Sequence, residues 1–287
     1  MSLIFIDGSY FCFYRYFALL TWWKNAFPED PILGDPADNP FFVEKFKKMC
    51  IQSLETIPKK IGISKEDIKQ NNYKIFIGKD CKREDIWRLE FYKEYKSTRV
   101  HNPYISSFFK ILYNEDDGIF TRNEQKNDKV ESKNESNMIT AILEHPHLEA
   151  DDCIALSILA NKTSESIYII TSDNDYMQLL NESQNIQIWN LAGKQISLDK
   201  NGSKELFCKI VMGDVSDNIP AILKKCGPKT ALKCFQNPTY FEERLKKENA
   251  LEKYKLNQLL INFNNIPVYL QEEYLKKEEY LNKFKVL

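Results

Sequence analysis

The chain has 287 residues, 43% hydrophobic and 28% charged, with 40 basic residues against 41 acidic. That composition suits a globular chain able to bury a sizeable core, and a net charge near zero excludes a global basic field as the sign of a nucleic-acid partner. Seven scattered cysteines without a CxxC pair exclude a disulfide framework or a cysteine zinc site, and no run approaches the roughly 18 uncharged apolar residues of a membrane span. Without a basic n-region before the interrupted apolar start, no signal peptide is expected, and the setting is intracellular, in cytoplasm or nucleus.

Residues 3–7 read as a buried strand ending in Asp7, followed by a Gly8-Ser9 turn and an aromatic helix. Prolines at 28, 31, 36 and 40 mark a long loop before a helix over about 41–60. A second strand spans 73–78, with Asp80 just beyond it. Residues 83–113 are predicted helical, basic and aromatic, with a break near His101-Asn102-Pro103. Residues 121–137 hold one apolar side chain, Val130, in 17 positions, so they are expected to form a flexible insertion. Further strands are predicted over 138–143, 167–171 and 185–190, the last hairpin-paired with 194–197. A helix is expected over 149–160 and another from Tyr176, and the chain reads as helical beyond Lys204 apart from 213–227. Alternating strands and helices predict an α/β fold with a central, mostly parallel sheet. The expected division is a core over 1–200, with an arch at about 83–113 and the insertion at about 114–137, and a helical part over 201–287.

Nine carboxylates follow these elements: Asp7, Asp80, Glu149, Asp151, Asp152, Asp173, Asp175, Asp214 and Asp217. If the runs ending in Asp7, Asp80 and Asp173 are neighbouring parallel strands, their acids line the carboxyl edge of one sheet, where α/β proteins place ligands. One like-charged pair at about 4 Å costs roughly 1 kcal/mol in water and about 4 kcal/mol at an effective dielectric of about 20. Hard divalent cations bound by oxygen remove that repulsion, so the pattern predicts metal. Each group alone also has a bland reading. Glu149 and Asp152 could compensate a helix dipole, Asp173 could be an N-cap, and Asp214 and Asp217 could be turn residues. Their ordered co-occurrence favours the site.

Leu-Glu-Ala-Asp-Asp at 148–152, Thr-Ser-Asp-Asn-Asp-Tyr at 171–176 and Gly-Asp-Val-Ser-Asp-Asn-Ile-Pro at 213–220 resemble the acidic signatures of the 5′ nuclease superfamily, which includes flap endonucleases and the N-terminal 5′-3′ exonuclease of bacterial DNA polymerase I. Gly227-Pro228-Lys229-Thr230-Ala231 resembles that family's helix–three-turn–helix, and Arg88-Leu89-Glu90 with Tyr95-Lys96-Ser97-Thr98-Arg99 the base of its helical arch, closest to phage members. The likeness runs from Asp7 to about Pro267, and Arg15 stands where the family has an arginine, with one extra residue after Asp7.

The resemblance implies a metal-dependent nuclease acting on 5′ ends, flaps and junctions of DNA, leaving 5′-phosphate and 3′-hydroxyl ends. It implies two or three Mg²⁺ ions, replaceable by Mn²⁺, on the nine acids. Lys96 and Arg99 would serve catalysis; Arg15, Arg88, Tyr95, Lys224, Lys225, Lys229, Thr230 and Lys233 would contact DNA. From Asn218 to Tyr240 there are four lysines and no acid. The turn at 221–227 is one residue longer than the family's and carries lysines where glycine stands, which argues against a K⁺ site there. The expected particle is a monomer with any polymerase acting in trans. The alternatives are a junction-binding protein that does not cleave, an RNA-directed nuclease, or a phosphatase, for which Asp173-Asn174-Asp175 offers a DxD. His145 and His147 form an H-x-H without partner ligands and read as loop residues.

Overall fold

A computed structural model describes residues 1–100, 102–121, 139–161 and 165–276. Residues 122–137 of the predicted insertion, and Met138 of the predicted third strand, lie outside them. The first half contains β1 (Ser2–Asp7), α1 (Gly8–Ala26), α2 (Pro40–Lys60), α3 (Lys65–Lys69), β2 (Tyr73–Gly78), α4 (Arg88–Phe91), α5 (Ile105–Tyr113) and β3 (Ala141–Leu143). The second contains α6 (Ala150–Ala160), β4 (Ser166–Ile170), β5 (Ile186–Trp189), α7 (Gly202–Met212), α8 (Pro228–Gln236), α9 (Pro238–Lys247), α10 (Leu251–Ile261) and α11 (Val268–Leu275).

The five strands form one sheet in the order β3-β2-β1-β4-β5, every pair parallel. Parallel strands buried on both faces read as continuous apolar runs, as Leu-Ile-Phe-Ile in β1 does. Odd and even residues of β1 therefore enter different cores. Leu3 and Phe5 pack with α6 on one face, Ile4 and Ile6 with α1, α2 and α5 on the other. The chain builds outward from β1 to β3, then returns to place β4 on the other side of β1. The topological switch point thus falls between β1 and β4, and their carboxyl ends open a crevice.

Two expectations change. The segment 83–113 is not one broken helix. It forms a short 3₁₀ turn, the four-residue α4, a run of turns and the nine-residue α5. The predicted hairpin after β5 shrinks to a single antiparallel bridge, Trp189 to Gln195. Helices α8 and α9 pack in an apolar cluster of their own with α7, whereas the segment from Phe263 through α11 joins the sheet. Phe263, Ile266, Leu270 and Tyr274 enter the same apolar cluster as Leu3, Phe76 and Ile154. Gln178 ties the two parts by donating to the Ile261 carbonyl (3.1 Å) and accepting from the Phe263 amide (2.9 Å). Among the described residues no helix is long and apolar enough to cross a membrane.

Candidate active site

Three acids stand at the carboxyl ends of adjacent strands. Asp7 closes β1, pairs in register with Gly78 of β2, and caps α1 by accepting from the Tyr10 amide at 2.9 Å. The Thr171 hydroxyl donates to its other oxygen at 3.2 Å. Asp80, two residues beyond β2, accepts from the Ala150 amide at 2.8 Å and from the Ser9 hydroxyl. Asp173, beyond β4, accepts from the Asp175 amide at 2.9 Å. Only a glycine fits at position 8, because a Cβ there would lie 2.5 Å from the Gly78 carbonyl oxygen and still closer to the Tyr113 hydroxyl. Burial, reinforced by Asp80, pushes the Asp7 carboxyl up to about 7, and burial also raises Asp173 despite the Lys209 ammonium.

A second group opens α6. Glu149 is its N-cap in a capping box, in which Asp152 accepts from the Glu149 amide at 3.2 Å. The helix N-terminus favours this negative charge. Asp152 is fully buried, and its two oxygens also accept from Arg88 Nη1 and Nη2 (both 2.7 Å) and Trp87 Nε1 (2.9 Å). Arg88 also reaches Glu149 at 2.9 Å, and Lys96 pairs with Glu149's other oxygen. Burial alone would raise Glu149, but Lys96 and Arg88 outweigh it and hold the carboxyl at about 2. Asp151, without an ion pair among the described residues, is raised well above the carboxylate range by burial and then by Asp152 and Glu149.

The third group comes from the loop after α7. Gly213 adopts φ 72°, and a Cβ there would sit 2.3 Å from the Ile219 carbonyl oxygen, so glycine is required. The turn it starts is closed by paired backbone bonds between Asp214 and Ile219, both 2.8 Å. Asp217 accepts from the Tyr95 hydroxyl at 3.1 Å and pairs with Arg99. Asn218 donates to the Glu94 carbonyl and the Ser97 hydroxyl, both 2.9 Å, and the Tyr92 hydroxyl donates to the Asn218 carbonyl at 3.0 Å. Loop 213–219 and residues 92–99 are thus stitched together although far apart in sequence. Lys96 sits in this seam at φ 55°, its amide donating to the Asp217 carbonyl at 2.9 Å. A left-handed conformation is uncommon for a residue other than glycine and concentrates at functional sites. Burial would lower the Lys96 ammonium, but Glu149 and Asp217 outweigh it and raise it.

Among the described residues, two carboxylate trios bring oxygens within 4.8 Å of one another: Glu149, Asp151 and Asp152, and Asp175, Asp214 and Asp217. The remaining three, Asp7, Asp80 and Asp173, repel one another strongly enough to help raise Asp7. Among the described residues the cations paired with the nine acids are Arg88, Lys96, Arg99 and Lys209, so negative charge is in excess there. The fully buried Tyr176 hydroxyl lies amid Asp7, Asp151, Asp173 and Asp80 and has no hydrogen-bond partner among the described residues. An all-oxygen donor set with surplus negative charge and an orphaned hydroxyl suits a hard divalent cation and its water shell.

Two of the expected DNA contacts, Arg88 and Tyr95, are buried. Arg88 is 2% exposed and Tyr95 4% exposed, both consumed by carboxylates, so neither presents a surface to DNA in this structure. The planar fork of Arg88 binds two buried acids better than it would serve a mobile strand. Arg15 stacks on Tyr14 at 4.9 Å and pairs with none of the nine acids. Lys224, Lys225, Lys229 and Lys233 are exposed on the loop before α8 and on α8 itself, with Thr230 half-buried between them. Sequence reasoning missed Lys209, which pairs with Asp175 and with Asp214 at 2.6 Å. A lone lysine in the last turn of a helix gives no signal of its own. Trp87 was missed too, although its place beside Arg88 was a hint.

Residues 2–208 match the family model described as "5'-3' exonuclease, N-terminal resolvase-like domain". The 5'-3' exonuclease of Buchnera aphidicola is 31% identical over 231 residues, covering 76% of this chain and 69% of that one. DNA polymerase I of Deinococcus radiodurans is 39% identical over 100 residues, 33% of this chain and 10% of that one. Among solved structures, the bacteriophage T5 protein co-crystallised with metal ions aligns at TM-score 0.62 and 14% identity, covering 99% of this chain and 100% of that one. A T5 flap endonuclease complex with DNA and metal ions aligns at TM-score 0.57 and 15% identity, with 99% coverage of both. Those structural likenesses carry the fold, and the family match carries the chemistry: the chain belongs to the 5′-3′ exonuclease family of 5′ nucleases.

Proposed function

We propose that the chain hydrolyses DNA phosphodiesters at 5′ ends, flaps and junctions with two or three Mg²⁺ ions, replaceable by Mn²⁺, held on the nine acids. The observation that carries this reading is that six of the acids form two trios with oxygens within 4.8 Å and the other three stand at or just past strand ends, while among the described residues four basic side chains pair with the nine. Bound metal would supply a water of lowered pKa and stabilise the oxygens of an in-line displacement. Lys96 and Arg99 lie at the edge of this cluster, where their charge meets that developing on the scissile phosphate. Asp152 accepts three of its four bonds on Oδ2, which orients Arg88, Trp87 and the start of α6, and its Oδ1, bonded only to Arg88 Nη2, keeps acceptor capacity for metal or its waters.

Beside the acids opens a cavity of about 670 Å³, walled by Phe13, Phe109 and Tyr113 and edged by Lys79, Arg83 and Lys110. Aromatic faces flanked by cations suit an unpaired strand, whose bases stack while its phosphates are neutralised. Duplex DNA would lie along the loop before α8, on Lys224, Lys225, Lys229 and Lys233. Removing one such lysine is expected to lower the salt slope of duplex binding by roughly one unit; unchanged slope and affinity for all four would leave that face without a DNA role. The polymerase I relative supports a functional link to a DNA polymerase.

The decisive experiment titrates Mg²⁺ against three substrates: a DNA duplex with a 5′ flap, the same flap in RNA, and a simple aryl phosphate ester. The expected result is metal-dependent cutting of the DNA flap, leaving 5′-phosphate ends, with the ester untouched. Binding of the flap without cleavage at any metal concentration would identify a junction-binding protein, and preference for the RNA flap a ribonuclease.

A further inference from the structure

Lys209 holds an unusual place. It rises from the last turn of α7, and its ammonium is inserted between Asp175 and Asp214, 2.6 Å from Asp214 Oδ2 and in contact with Asp175 Oδ1. Those are two of the three carboxylates whose oxygens converge with Asp217 within 4.8 Å. Burial would raise Asp214, but the Lys209 ammonium and Ser216 outweigh it and hold the carboxyl at about 2. The two acids come from different parts of the fold, one after β4 and one after α7, so this single cation bridges segments that would otherwise repel.

We propose that Lys209 is a built-in stand-in for a divalent ion: it compensates Asp175 and Asp214, as Arg99 does Asp217, before metal arrives and must leave when a metal occupies that trio. This rests on the reading of the acids as a metal site. A divalent ion takes carboxylate oxygens at about 2.0–2.6 Å. An ammonium spanning Asp175 and Asp214 fills the point on which such an ion would have to sit, and two cations cannot share it. The trio therefore never stands as a bare cluster of repelling charges. Metal affinity there is lowered by the cost of displacing Lys209, and loading frees an ammonium at the rim of the crevice. Its side chain is 21% exposed, enough to give an outward path.

The test measures metal binding without DNA or cleavage. Calorimetric titration with Ca²⁺ should show a weak site that becomes at least tenfold tighter in Lys209→Met, unchanged in Lys209→Arg, and unchanged in the control Lys204→Met, whose ammonium pairs with Glu205 on the same helix. In chelator, Lys209→Met should melt lower than the unmodified protein, and Ca²⁺ should more than restore the difference. A second measurement uses the unmodified chain, so that a variant that fails to fold decides nothing. Brief acetic anhydride labelling read by mass spectrometry should acetylate Lys209 several-fold more when Ca²⁺ is present, with Lys204 unaffected. Equal or weaker Ca²⁺ binding by a folded Lys209→Met, or labelling of Lys209 that stays level or falls with metal, overturns the displacement while leaving the nuclease reading intact. A chain that cleaves DNA but binds no divalent ion overturns both.

Discussion

Asp173→Asn is expected to abolish cleavage of a 5′-flap DNA at saturating Mg²⁺ while leaving the affinity for that DNA in Ca²⁺ within a few-fold of normal. Asp173 follows β4 at the switch point, and one oxygen already organises the next turn by accepting from the Asp175 amide at 2.9 Å. Asparagine preserves that acceptor and the local turn but removes the charge. The loss is therefore electrostatic rather than conformational. Stabilisation of charge in a preorganised, water-poor site is usually the largest single contribution to catalysis, and one lost group typically costs 10²–10³-fold. Single-turnover rates across a Mg²⁺ titration, with melting temperature as the control for folding, give the answer. Near-normal cleavage at saturating metal would remove Asp173 from the site.

Arg88→Met is expected to destabilise the fold by about 3–5 kcal/mol, the usual cost of breaking a buried ion pair from one side. The guanidinium is nearly inaccessible and donates to Asp152 twice at 2.7 Å, to Glu149 at 2.9 Å and to the Leu260 carbonyl at 2.7 Å. It joins the start of α6 to the end of α10, so its loss leaves Asp152 without a counter-charge, Glu149 with Lys96 alone, and one carbonyl unpaired. Burial would lower the guanidinium, but Asp152 and its other partners outweigh it and raise it, so Arg88 stays charged. Urea unfolding in chelator measures the effect. Adding Asp152→Asn to Arg88→Met should recover part of the loss, because a neutral amide costs less to bury unpaired than a carboxylate does. A loss below about 1 kcal/mol would assign Arg88 to the surface role that the sequence first suggested.

The sequence by itself determined the sheet and the acids. Uninterrupted apolar runs such as Leu-Ile-Phe-Ile suit strands buried on both faces of a parallel sheet, and acids placed just past such runs fall at its carboxyl edge. Asp7, Asp80 and Asp173 were therefore legible from local pattern alone, and the ordered motifs supplied Glu149 to Asp152 and Asp214 to Asp217. What only the tertiary structure decided is which cation meets which acid. Arg88 and Tyr95 belong to a basic and aromatic stretch that reads as a DNA surface, yet α4 is too short to stand free and packs inward, with Leu89 beside Ile261 and Arg88 against the acids. Lys209 carries no local signal, because a lysine late in an amphipathic helix is ordinarily solvated. Its role follows from α7 packing against the 3₁₀ segment Asn174–Asn181 just past β4 and aiming that one side chain between Asp175 and Asp214. Charge pairing of this kind depends on distances across the fold, and sequence periodicity records only which face of an element is buried.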